Sequence, residues 1–317
     1  METTRLLRSS LLMIITAMLM ACGGGGDGGP AAVYSGKTNQ ALIDGDNAKL
    51  FSDTASVGSG TGGGLIGTFN VTQSGSNGSS NLHSFVKSFR KFANNFDVKQ
   101  ATPLMPTAIT DSNSFPGECG GSFSYTIDYN ETTGNFNGSL SFNSYNDCIG
   151  TMNGAITFYG SDTSATLSMS FLALSYTGAS DSVTMSGNIS FTTLPSSITE
   201  SITMSMDFRD NNTGETYRIK DMTMEVTTSA LTESTIVKSG QVYHPDYGYV
   251  DVSTTSPILV NKDALNPHAG VLVMAGDGST ATVTFVNSNQ YTIEVDVDNV
   301  APPEVTKNCT WVPDVCN

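Results

Sequence analysis

Strict alternation of apolar and polar residues constrains the fold of this chain more than any other sequence feature. From residue 121 onward, apolar side chains recur at every second position in segments such as 123–127, 136–142, 183–191 and 202–208. A period of two places successive side chains on opposite faces of a β-strand. Antiparallel strands with one face on a core and one face in solvent have this pattern. We predict a mainly β fold in residues 118–301, an antiparallel meander forming a sandwich or a partly open barrel.

A break in this alternation predicts an irregular strand. Tyr217 and Ile219 are odd-numbered, whereas the apolar residues that follow, Met222 and Met224, are even-numbered. Either a β-bulge near Asp221 absorbs one residue, or the strand faces two cores.

Three segments also share a weak motif that indicates bends in the strands. In each, a glycine stands on the apolar face and a phenylalanine follows four residues later. The glycines are Gly138, Gly154 and Gly187. A glycine inside a strand indicates a bend or a close approach of another backbone.

The composition excludes several classes of protein. The chain has 14 Lys and Arg against 29 Asp and Glu, and its net charge is -15. Such an acidic surface repels phosphate, so we expect no nucleic-acid partner. The 27 aromatic residues are too many for a wholly disordered chain. The sequence has no G-x-S-x-G, H-E-x-x-H or P-loop motif. We therefore predict no catalytic residues, no cofactor and no enzymatic activity.

The N-terminus has the features of an export signal. Arg5 and Arg8 precede an apolar stretch, Leu11–Met20, that is too short to span a bilayer. The sequence Leu19-Met20-Ala21-Cys22 resembles the bacterial lipobox. The resemblance implies that residues 1–21 are a signal peptide and that Cys22 is acylated, which would anchor the chain to a membrane. The alternative is an ordinary signal peptide with a chance cysteine.

The residue after Cys22 predicts the membrane in which the protein is anchored, and the segment that follows predicts a tether. An Asp after the lipidated cysteine resembles a retention signal for the inner membrane, and here Gly23 stands instead. We therefore expect an outer-membrane protein, periplasmic or surface-facing. Residues 22–33 are rich in glycine and predict a flexible tether.

Two helices are predicted before the β domain. Residues 34–80 contain a short helix, for which Asp44-Gly45-Asp46-Asn47 offers N-cap side chains, and then a loop rich in glycine and serine. Residues 81–97 form an amphipathic helix with an apolar stripe of phenylalanines and a basic face. We expect the stripe to pack on the β domain, with a membrane interface or a partner's groove as the alternative.

Four cysteines besides Cys22 indicate disulfides. An even number in an exported chain allows three pairings. We predict the two local ones, Cys119 with Cys148, and Cys309 with Cys316 inside a C-terminal tail over residues 302–317. A four-cysteine zinc site or a redox-active pair is disfavoured, since the sequence contains no C-x-x-C.

Methionines on the apolar strand positions suggest two interpretations. They line either a closed core or an adaptable pocket for a lipid or another hydrophobic ligand. The methionines of this pocket would be Met152, Met169, Met185, Met204, Met206 and Met224.

Two groups of polar residues could bind a metal ion, but the sequence supports neither site strongly. Glu294, Asp296 and Asp298 alternate along one strand and favour a solvated edge, with weak calcium binding as the alternative. His244 and His268 could form a two-histidine site, but loop positions favour a structural role. We predict no metal site.

Short motifs at both ends of the chain resemble a group of uncharacterised bacterial lipoproteins with a β body rich in serine and threonine. They are Tyr34-Ser35-Gly36-Lys37-Thr38, Asn47-Ala48-x-x-Phe51, Gly248-Tyr249-Val250-Asp251-Val252, Pro267-x-x-Gly270-Val271-Leu272 and Asp296-Val297-Asp298. Relatives continue the last motif with Gly-Asp-Gly, where this chain has Asn299-Val300-Ala301. The group implies no activity.

The function expected from these features is that of a non-enzymatic, lipid-anchored envelope protein, either a structural or a binding module. The alternative is a carrier that binds a hydrophobic ligand in a concavity lined by methionine and phenylalanine.

Overall fold

The computed structural model describes most of the β region and a short N-terminal part of the chain. The described residues are 29–55, 109–130, 132–161, 164–178, 182–193, 199–229, 232–261, 266–311 and 314–317. Several predictions lie outside them. They are the signal peptide over residues 1–21, acylation of Cys22, the tether over residues 22–28, the loop rich in glycine and serine that ends at residue 80, and the amphipathic helix over residues 81–97.

Within these described residues, fifteen strands form one antiparallel sheet in which every strand pairs with its neighbours in sequence. The strands are β1 (Ile109–Pro116), β2 (Ser122–Asn130), β3 (Asn135–Asn146), β4 (Thr151–Ser161), β5 (Thr166–Thr177), β6 (Ser182–Thr193), β7 (Thr199–Asp210), β8 (Thr216–Thr228), β9 (Thr232–His244), β10 (Gly248–Asn261), β11 (Pro267–Ala275), β12 (Thr280–Asn287), β13 (Gln290–Asp296), β14 (Val305–Trp311) and β15 (Asp314–Cys316). The predicted antiparallel meander is therefore confirmed. In the described part of the chain, the edge strands β1 and β15 do not pair with each other, so the sheet is not closed into a barrel.

The sheet extends further than the predicted range of 118–301. β1 begins at Ile109, and β14 and β15 lie in the segment that the sequence assigned to a separate tail. Pro302 and Pro303 are in the connection between β13 and β14. A proline cannot donate a ladder hydrogen bond, so it ends a strand, but the chain still returns to pair with β13.

One face of the sheet encloses the core. The buried apolar side chains of β2 through β14 belong to one cluster, which includes Phe123 and Phe142 near one edge and Tyr291 and Trp311 near the other. Residues so far apart in a flat meander can share a core only if the sheet curls. Strands β2 to β14 therefore have an inner face that contributes to the core and an outer face rich in hydroxyl and amide side chains.

A row of irregular residues crosses the curled sheet. We call it the bulge row, and its members are Ser144, Gly154, Ala173, Gly187 and Asp221. All five have a positive φ, and the pairing register shifts beside them on β3, β4, β5 and β8. Bulges bend a strand and increase its twist, so a row of bulges on successive strands curls the whole sheet. Of the two alternatives that the sequence left open for β8, the structure shows the bulge near Asp221.

A short helix closes one end of the sheet. Helix α1 spans residues 48–55, and Ala48, Phe51 and Ala55 are fully buried in the core. The Asp44 carboxylate accepts a hydrogen bond from the Asn47 amide, and the Asn47 side chain accepts one from the Asp44 amide. This reciprocal pair is a capping box, and it confirms that residues 44–47 supply the N-cap of the helix.

The described part of the chain contains no helix with the length and hydropathy that a membrane-spanning segment needs.

Candidate functional site

The segment that would connect the tether to the sheet is bound along its length. We call residues 29–47 the strap. Its first contact is a hydrogen bond of 3.0 Å from the Ala32 amide to the Ser186 hydroxyl on β6. Ala32 is buried, although the sequence assigned it to a flexible tether. The tether prediction is therefore too long at its C-terminal end.

Main-chain hydrogen bonds then hold the strap to the turns at one end of the sheet, which we call the strap end. Asn39 and Ala41 bond the backbone of Tyr249 on β10, and the Ala41 carbonyl accepts from Asp277 in the turn after β11. The Ile43 amide donates to the Ser279 hydroxyl over 2.7 Å. Gly248 permits this approach, because a Cβ there would lie 2.1 Å from the Asn39 oxygen.

Tyr34 forms the polar centre of the strap contact. Its amide donates to the Asp207 carboxylate over 3.0 Å, and its hydroxyl shares a proton between the carbonyls of Lys37 and His244. The Arg218 guanidinium lies 5.0 Å from the centre of the Tyr34 ring. The same guanidinium donates two bonds to Asp207, over 2.7 and 2.9 Å. One cation therefore fixes both a carboxylate and a ring.

Burial controls the protonation of this centre. Loss of solvent raises the pKa of Tyr34 to about 12, against the opposing effect of Arg218. The hydrogen bond to Asp207 is the main cause of a raised pKa for Arg218. Tyr34 is thus neutral and Arg218 charged at ordinary pH, which is the state that these contacts require.

His244 lies beneath the strap, among aromatic rings. It is almost completely buried, and its ring contacts Phe51 of helix α1, Tyr217 and Tyr247. Its Nδ1 accepts a hydrogen bond of 3.2 Å from the Asp246 amide. Burial lowers the pKa of His244, although Asp246 and Glu215 act in the opposite direction. A neutral imidazole with an accepting Nδ1 fits this environment.

Both predicted disulfides are present, and they fasten different ends of the sheet. Cys119 and Cys148, with Cα atoms 5.1 Å apart, join the β1–β2 and β3–β4 turns at the strap end. Cys309 and Cys316, with Cα atoms 4.1 Å apart, join β14 to β15. The two free edges of the meander are therefore each tied to a neighbouring strand or turn.

The methionines of the predicted hydrophobic pocket lie in the core. Met152, Met185, Met204, Met206 and Met224 are each no more than 2% exposed. Met169 is partly buried and packs against the same cluster. The inner face that they line is filled by neighbouring side chains, including those of helix α1.

Three carboxylates meet at the turn after β13, where the sequence raised weak calcium binding. Asp296, Asp298 and Glu304 have carboxylate oxygens within 4.8 Å of one another. Glu294 is exposed on the preceding strand. The Val297 and Val300 amides donate to these carboxylates, which therefore organise the turn.

The two histidines raised as a metal pair are far apart in the sheet. His244 ends β9 at the strap end, whereas His268 is the second residue of β11 and lies at the opposite end. The structure does not bring them together.

The central strap residues were missed by sequence reasoning. Asp207 and Arg218 stand on the outer faces of β7 and β8, where charged residues are ordinary. The available signal was the Tyr34-Ser35-Gly36-Lys37-Thr38 motif, which the resemblance singled out without a role.

Comparisons with protein-family models, with curated proteins and with solved structures find no match to this chain.

Proposed function

We propose that this chain is a non-enzymatic envelope lipoprotein, acylated on Cys22, whose curled sheet is a structural or binding module at the outer membrane. The observation that carries the proposal is the binding of the strap from Ala32 onward. Only nine residues lie between Cys22 and this first contact at Ala32. A glycine-rich segment of that length spans roughly 15–20 Å. An acyl chain on Cys22 would therefore hold the sheet close to the bilayer surface.

The two disulfides support the compartment in this proposal. Disulfides persist in the oxidising environment outside the cytoplasm, where an exported lipoprotein would reside. Their positions also suit such a protein, since they secure the free edges of the sheet.

The packing of the inner face favours a module over a carrier. A carrier for a lipid needs a continuous apolar cavity of about 300–1,000 Å³. Five of the six methionines that would line it are buried to 2% exposure or less within one core cluster. Phe51 and Ala55 of helix α1 occupy the strap end of the same interior.

Membrane fractionation of a Cys22→Ser variant tests the proposal. We expect the wild-type chain in the membrane fraction, with mass spectrometry of its N-terminal peptide showing cleavage before Cys22 and added acyl chains. The variant should be soluble in the periplasm or remain unprocessed. A variant that stays in the membrane fraction, with a cleaved N-terminus, would contradict the lipid anchor.

A matched control separates lipidation from loss of a thiol in general. The Cys309→Ser/Cys316→Ser double variant removes a disulfide but leaves Cys22, so it should fractionate like the wild type.

A further inference from the structure

A groove with polar and aromatic walls lies on the outer face of the sheet, near the end opposite the strap. Its volume is about 500 Å³, and its lining comes from β2 to β5. A second hollow of about 410 Å³ adjoins it. Both are lined in part by Asp128, Asn137 and Tyr159. Volumes of this size are typical of sites for small ligands.

These three residues form one row across three strands. Asn137 pairs with Asp128 on one side and with Tyr159 on the other. Opposite residues on neighbouring strands are about 5 Å apart, so the row extends over about 10 Å. The next row of the outer face consists of the hydroxyl residues Thr126, Ser139 and Thr157.

Tyr159 distinguishes this groove from the rest of the polar face. Its side chain is 66% exposed, the largest exposed fraction of any described aromatic residue. A tyrosine ring in this setting contributes nothing to the core. Instead it lines both hollows, beside amide, carboxylate and hydroxyl groups.

We propose that this groove binds a neutral oligosaccharide, with Tyr159 stacking on one sugar ring. The axial C–H groups of a pyranose ring carry slight positive charge and pack on the negative face of an aromatic ring. Its hydroxyls donate and accept hydrogen bonds, as the amide of Asn137 and the neighbouring hydroxyls also do. The inference rests on the proposed function in its binding form, and it names the ligand class of that module.

Charge decides between neutral and acidic sugars. The groove contains Asp128, and the described residues that line it include no Lys, Arg or His. The whole chain has a net charge of -15. An anionic glycan would be repelled by this field, whereas a neutral sugar would not.

Calorimetric titration of the full-length protein tests the groove. The protein is kept in a zwitterionic detergent, because a detergent with a sugar head group would compete. The probes are hexasaccharides of glucose, of mannose and of N-acetylglucosamine, with an oligouronate as the anionic comparison. Binding of the N-acetylglucosamine probe alone indicates acetamido glycans such as those of cell walls. Binding of the glucose or mannose probe indicates other neutral polysaccharides.

Three variants make the result specific. Tyr159→Ala should weaken binding about tenfold, because it removes the stacking surface. Tyr159→Phe keeps the ring and should bind like the wild type. Leu172→Ala is the matched control, since Leu172 is 56% exposed on the outer face of β5 but lines neither hollow.

Two results would overturn the inference: no neutral probe binds the wild type at millimolar concentration, or Tyr159→Ala binds as the wild type does. Thermal unfolding of each variant confirms that it is folded. If the neutral probes fail while Cys22-dependent membrane attachment holds, the glycan site is wrong and the envelope lipoprotein stands.

Discussion

Arg218 shows how single residues fix the strap. Its guanidinium binds both oxygens of Asp207, and Asp207 in turn accepts the Tyr34 amide. The three groups belong to β8, β7 and the strap, so one network joins segments that are distant in sequence. Arginine suits this position better than lysine, since its planar fork matches a carboxylate and its face stacks on a ring.

The buried imidazole of His244 predicts that the stability of the fold depends on pH. Its pKa is lowered in the folded protein by burial, whereas in the unfolded chain it is near the ordinary 6.5. Below pH 6.5 the unfolded chain therefore binds more protons at His244 than the folded protein does. The contribution of the neutral imidazole to the free energy of unfolding is fully present above pH 6.5 and is lost as the pH falls. We expect the thermal midpoint to decrease between about pH 7.5 and 5.5, and this decrease to be smaller in His244→Phe.

Glu200 provides the internal comparison for this experiment. Burial raises the pKa of its carboxyl. Its contribution to the free energy of unfolding is therefore present at low pH and is lost as the pH rises. The change in stability that Glu200 causes with pH is opposite in sign to that of His244. It is the same in the wild type and in His244→Phe. An equal pH dependence in both proteins would show that His244 does not titrate on unfolding.

At the scale of the elements, bulges explain where the sequence pattern misleads. Phe171 and Leu174 differ in parity, yet both are buried on the inner face. Ala173 has a φ of 53° and adds one residue between them, so only Leu172 faces outward. β5 therefore has a single core face, although its buried apolar residues differ in parity. The same parity signal did locate the bulge at Asp221.

Gly187 is the member of the bulge row that should tolerate substitution least. Its φ of 135° is outside the regions that L-residues adopt, and a Cβ would lie 2.3 Å from the Ser205 carbonyl oxygen. We expect Gly187→Ala to destabilise the protein by about 3 kcal/mol or more, since backbone strain and a backbone clash add. Denaturant unfolding measures this loss.

Gly278→Ala is the matched control for Gly187→Ala. Gly278 also has a positive φ, 68°, but an added Cβ would meet nothing within 4 Å. Its cost should be about 1 kcal/mol, from the left-handed conformation alone. Equal losses in the two variants would mean that the bulge row is not closely packed.

At the scale of the whole molecule, helix α1 makes the strap part of the core. Phe51 is fully buried between the inner face of the sheet and the ring of His244. We expect Phe51→Ala to destabilise the protein by about 3–5 kcal/mol, which lowers the thermal midpoint by about 10 °C.

Leu42→Ala is the comparison for Phe51→Ala, because Leu42 is in the strap but 51% exposed. It should change the stability by less than about 0.5 kcal/mol. An unchanged midpoint for Phe51→Ala would show that the strap end unfolds separately from the sheet.

The sequence by itself determined the one-sided antiparallel strands, the turn residues between them, the irregularity near Asp221, the N-cap of helix α1 within residues 44–47 and the two local cysteine pairs. Each of these depends on spacing or chemistry within a short segment, where one periodicity or one side-chain bond decides the outcome. Only the tertiary structure decided the curl of the sheet, the attachment of Tyr34 to Asp207 and Arg218, and the exposure of Tyr159 beside Asn137. These depend on contacts between residues far apart in the chain, and such contacts form only once the bulges have bent the meander around a common core.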